Sequence, residues 1–131
     1  MAKTYASPMV QIPIVGFASV TTALTERTNI TGTTGLTQLT ATSTEGTRID
    51  GISIKAAATS AAGLIFIWHY DGTTSRLVDE LICTAITGSA TLAGDYNYKS
   101  YVNFNLPPTH QLYTSTTITQ NYNVFAYGGT L

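Results

Sequence analysis

Charged side chains are scarce in this sequence: Asp, Glu, Lys and Arg together make up 10% of its 131 residues, against ~25% in an average soluble domain. The six basic residues, Lys3, Arg27, Arg48, Lys55, Arg76 and Lys99, are scattered, and the net charge is -1. Displacing counterions from a polyanion needs clustered cations, so nucleic-acid binding is disfavoured. Cysteine is scarcer still, with Cys83 alone. One thiol cannot staple a chain, which points away from a secreted disulfide scaffold and toward synthesis in a reducing cytoplasm. No apolar run approaches the ~20 residues that span a bilayer, so no membrane association is expected.

The amino-terminal stretch MAKTYASPMVQIPIVGFASV sets a lysine ahead of apolar residues, as a secretory leader does, yet Pro8, Gln11 and Pro13 interrupt it and argue against one. Residues 1–9 are expected to form an extended arm on a single domain covering 1–131, a length that buries one core without metals or disulfides.

Threonine fills the place left by charge, at roughly a fifth of the residues, and its β-branched side chain suits a pleated surface and is poor in helix. Helical periodicity is nearly missing. The alanine-rich AAATSAAG at 56–63 is too short to hold as a helix and reads as a turn. Turn signals recur at short intervals (TNITGTTG, STEGT, YDGTT, ITGSATLAGD, LPPTH, TQNYN), the pattern of an all-β sandwich. Strands are predicted at 10–20, 36–42, 47–57, 63–70, 75–83, 98–106, 111–118 and 121–128. Eight strands suit a jelly-roll-like antiparallel β-sandwich.

Side-chain phase within these segments is informative. Ile52, Ile54 and Ala56 share one face, whereas Ile49 is out of phase with them; Gly51 lies between, where a β-bulge would restore register. In 75–83 the alternation groups Arg76 with Glu80, and Leu77 with Asp79 and Leu81. In 98–106 it groups Tyr98, Ser100, Val102, Phe104 and Leu106 against Lys99, Tyr101, Asn103 and Asn105. Asp71-Gly72 fits a tight reversal that makes 63–83 one antiparallel hairpin.

The first arm of that hairpin is apolar on both faces: Leu64, Phe66, Trp68 and Tyr70 on one, Ile65, Ile67 and His69 on the other. A two-layer sandwich buries only one face of a strand, so a loop, the amino-terminal arm or another chain must cover the second. Each isoleucine is worth ~1.5–3 kcal/mol when buried. The expectation is that Ile65, Ile67 and His69 meet a neighbouring subunit.

Catalytic constellations are lacking. His69 and His110 have no zinc-binding spacing, no nucleophile-elbow motif accompanies the serines, and Cys83 in an apolar strand reads as a small core residue. Asp50, Asp71 and Asp95 each neighbour a glycine, which favours turn roles over a glycosidase pair. The expectation is a protein that is not an enzyme, with no catalytic residues, no metal and no cofactor. Tyr96, Tyr98 and Tyr101, with Tyr113, Tyr122 and Tyr127 elsewhere, offer the alternative of a stacking platform for glycans.

The stretches TRIDGISIKA, LIFIWHYDGTTSRLVDEL, NFNLPPTHQLYTSTT and VFAYGGTL, within residues 46–131, resemble small jelly-roll virion structural proteins of tailed bacteriophages. The resemblance implies a head decoration, or cement, protein made in the host cytoplasm and seated on the head surface. It further implies the major capsid protein as partner, a homotrimer as first expectation, and no catalytic residues to carry over. A glycan-binding head or tail appendage is the alternative.

Overall fold

The structure, a computed structural model, describes residues 12–131. The arm expected at 1–9 and the start of the first predicted strand lie outside the described residues. Nine strands and no helix are present among the described residues: β1 (Ile12–Val20), β2 (Ile30–Thr31), β3 (Thr37–Gln38), β4 (Thr47–Ala56), β5 (Gly63–Tyr70), β6 (Thr74–Cys83), β7 (Tyr96–Leu106), β8 (Gln111–Thr116) and β9 (Tyr122–Thr130). The strand predicted at 36–42 shortens to β3, because Leu39 and Thr40 leave the ladder, both donating their N–H to the Leu112 carbonyl. β2 is the strand not foreseen.

Two antiparallel sheets result, in the orders β1-β9-β4-β7 and β2-β6-β5-β8-β3. With the two-residue β2 set aside, each sheet has four strands and the chain passes between sheets as a jelly roll does. The core between them takes Ile49, Ile52, Ile54, Leu106, Val124 and Ala126 from the first sheet and Ile65, Ile67, Leu81, Cys83 and Leu112 from the second. Cys83 is therefore a core residue, and burial pushes its thiol pKa up.

Three register breaks shape the sheets. The bulge between Ile49 and Gly51 lies where the phase of the isoleucines requires it, so Ile49 and Ile52 both reach the core. A second break, opposite Ile67 and Trp68, makes Val78 the extra residue of β6; it sets Leu77 opposite Trp68 and Asp79 opposite Ile67, which separates Leu77 from Asp79 and Leu81. Arg76 and Glu80 accordingly find different partners, Asp71 and Arg27. The third break is in β7, where Ser100 pairs with Gly51 but Phe104 with Ile49. Asn103 occupies the left-handed region at φ 59 within it. Uniform alternation through β7 is thereby corrected: Tyr101 and Phe104 both pack against the core, Leu106 is buried, and Tyr98 and Val102 are exposed.

The hairpin β5–β6 turns at Asp71-Gly72 as expected. Asp71 Oδ1 accepts hydrogen bonds from the N–H of Thr73 and Thr74, which with Arg76 hold its carboxyl well below the usual range, and Gly72 takes φ 97. A positive φ is open to glycine at no steric cost.

Candidate interaction surface

Both faces of β5 are covered by the chain itself. Ile65 and Ile67 are fully buried between the two sheets, against the expectation that they meet a neighbouring subunit. The reason is that the inward face of β5 is the isoleucine face, and the opposite face, Phe66 and Trp68, is the one that needs a cover. The cover is a strap formed by residues 21–36. It starts beside β8, where Leu24 N–H donates to the Thr116 carbonyl at 2.8 Å. From there it crosses β5 to reach the far edge of β6, where Ile30 pairs with Ser75 and Gly32 N–H donates to Thr73 at 2.7 Å. It then returns to form β3 beside β8. Midway, the Arg27 guanidinium sits 4.9 Å above the Phe66 ring and pairs with Glu80, a cation–π contact added to burial. Trp68 donates its indole N–H to Ser115 Oγ at 3.0 Å, so its one polar atom is satisfied inside.

His69, the third residue of the isoleucine face, is only half-buried. Its Nε2 lies 2.7 Å from His110 Nδ1 in the β7–β8 connection. Burial lowers the His69 pKa, and His110 and Arg76 add to that effect while Asp71 opposes it.

The three tyrosines weighed for glycan contact do not share a face. Ordinary alternation places Tyr101 on the inner side with Lys99, where its hydroxyl donates to Asp79 Oδ2 at 2.5 Å, and Lys99 Nζ reaches the other carboxylate oxygen at 2.7 Å. These contacts join the edge of one sheet to the edge of the other. Burial drives the Asp79 pKa up, but the hydrogen bonds from Lys99, Tyr101 and the Glu80 N–H outweigh it and leave the group below the usual carboxylate value. The Tyr101 phenol is raised by burial and by that carboxylate. Tyr122 is likewise in the core, donating to Asp95 Oδ2 at 2.6 Å, and Tyr113 packs edge-on against Tyr70. Asp95 is more than a turn residue: its carboxylate also accepts the Thr84 N–H and so ties the 84–95 loop to the core.

Tyr96 and Tyr98 remain outside, and they belong to a larger feature, the outer face of the first sheet. Strand register sets Val15 beside Tyr127, Phe17 beside Phe125, Phe125 beside Ser53 and Ser53 beside Tyr98. Phe17 is 73% exposed, Val15 56% and Tyr98 49%. The Tyr98 ring lies directly over Gly51, where any side chain would collide with it, and Tyr127 shares a hydrogen bond of 3.2 Å with Ser53 Oγ. Between the Arg48–Asp50 ion pair at one end and Lys55 at the other, this face carries no charge. It is a flat apolar and aromatic surface with scattered hydroxyls. The signal for it was present in the sequence, since β1 is apolar in both phases just as β5 is.

The shallow depression beside β6, lined by Arg27, Leu77, Val78, Asp79, Glu80 and Lys99, has its acids already paired with its cations. Among the described residues no three His, Cys, Asp or Glu side chains converge as metal ligands would. No family model, curated protein or solved structure matches this chain.

Proposed function

We propose that this protein is a non-enzymatic virion component, a head decoration protein that adheres to major capsid subunits through the outer face of its β1-β9-β4-β7 sheet. One observation carries the reading: Val15, Phe17, Phe125, Tyr127 and Tyr98 form a contiguous, largely uncovered apolar face on a protein whose remaining surface is threonine-rich. Patches of this kind on soluble proteins mark contact sites. Covering Phe17 alone would contribute ~2 kcal/mol, and a lattice repeats that gain at every copy. The part such a protein plays is mechanical, since pressure inside a shell must then break extra contacts as well as the shell's own. The jelly-roll sandwich and the resemblance to phage structural proteins support the same reading.

Mass spectrometry of purified particles, with copy number taken relative to the major capsid protein, tests it. A lattice-wide stoichiometry is expected, and Phe17→Asp should abolish retention on heads. A handful of copies per particle, or none, would overturn the proposal. Tyr96 and Tyr98 favour a second reading, a glycan-binding appendage; that reading requires saccharide binding that Tyr98→Ala removes.

A further inference from the structure

A sheet edge is a template for another strand, and proteins usually blunt it. Among the described residues four strands are edges, and three are blunted. β2 and β3 have two residues each. β7 is broken by the bulge at Asn103 and carries Lys99. The stretch of β6 that β2 leaves uncovered is likewise interrupted, by the bulge at Val78, and is rich in charge. β1 differs. It pairs with β9 over nine residues without a break, from Ile12 with Thr130 to Val20 with Tyr122, and its sequence IPIVGFASV has no charged residue. Only Pro13, near its start, works against pairing. Leu39, which passes close to Gly16, does so on the core side, in phase with buried Ala18 and Val20, and among the described residues no strand pairs with the lateral edge.

We infer that β1 joins β1 of a second copy, antiparallel across a twofold axis centred on Gly16, so that two four-stranded sheets become one of eight. The neutrality of β1 makes it compatible with itself, since no like charges meet. Centring on Gly16 sets Val15 opposite the partner's Phe17 and Phe17 opposite the partner's Val15, on the outer face, with Ile14 opposite Ala18 on the inner face. Aromatic and β-branched neighbours of this kind stabilise a strand pair by ~0.2–1 kcal/mol each. A nine-residue strand is ~30 Å long, and an edge contact of that length covers well under the ~800 Å² per partner of a standard stable interface. The pairing is therefore weak and reversible, and it enlarges the apolar face described above. It stands independently of the virion reading, and it replaces the threefold expectation with a twofold.

Sedimentation equilibrium on the full chain at high micromolar concentration should show mass rising from 13.9 kDa toward twice that value, with Phe17→Lys abolishing the rise and Tyr98→Lys leaving it. Ser19→Cys, spin-labelled while buried Cys83 stays unreactive, should give a distance of about 20 Å between copies, because residue 19 lies opposite residue 13 and six residues separate the labels along the strand. A chain that stays monomeric or forms trimers would overturn the inference. So would loss of the dimer in Tyr98→Lys, which means face-to-face stacking, or a label separation far from that distance. The copy number on particles is a separate measurement, so either proposal can fail alone.

Discussion

Tyr101 and Tyr122 each donate a hydroxyl to a carboxylate, Asp79 in one case and Asp95 in the other, and in doing so they tie loops and sheet edges to the core. Burial, reinforced by the neighbouring carboxylate, raises both phenols above their ordinary value of 10.0. A raised pKa means that the stabilisation is fully present below about pH 10 and is lost as the pH climbs past it. Two phenols should thus be missing from the phenolate absorbance titration until alkaline unfolding releases them. Tyr101→Phe should cost about 1.5–3 kcal/mol in urea unfolding, since it leaves a carboxylate short of a donor. At the acid end, His69 acts in the opposite sense. Its folded pKa is depressed below 6.5, so the unfolded chain takes up the proton first, and stability declines as pH falls below about 6.5, by up to ~1.4 kcal/mol per unit. His69→Gln should flatten the decline in a series of thermal melts between pH 7 and pH 5, by about the same amount per unit.

At the scale of elements, two glycines separate backbone necessity from surface fit. A side chain at Gly128 would run into the Arg48 carbonyl of the adjacent strand, whereas one at Gly51 would meet only the outer end of the Tyr98 ring. Gly128→Ala should cost more than about 3 kcal/mol and Gly51→Ala less than about 1 kcal/mol, measured by chemical denaturation. The contrast bears on what was legible beforehand. The β4 bulge could be read because Ile49 breaks the phase of Ile52 and Ile54 beside a glycine, and the β5–β6 reversal because Asp71-Gly72 has specific turn chemistry. The β6 and β7 bulges could not be read, since Val78 and Asn103 carry no such mark and the alternation around each looks unbroken. The strap was equally hidden: of residues 21–36 few are apolar, and the cover over Phe66 is a guanidinium carried on a segment whose backbone is hydrogen-bonded to β8 on one side and to the β5–β6 turn on the other. The need for a cover on β5 was legible, but its source was not. The pairing of His69 with His110, 41 residues apart, follows from topology alone.

Taken whole, the molecule has a net charge of -1 and an apolar face bounded by a few ions. Long-range electrostatics contribute little to any association it makes, and burial dominates. Self-association followed by light scattering should therefore change little between ~50 and ~500 mM NaCl, strengthen in sulfate and weaken in urea. Strong weakening by NaCl would show that charged groups carry the contact. The strap bears on the same question from inside, because it closes over the chain's single tryptophan. Any event that lifts residues 21–36, whether docking or swelling of the assembly, would let water reach that indole and shift its emission to the red. The protein thus carries its own optical gauge of whether its outer layer is shut.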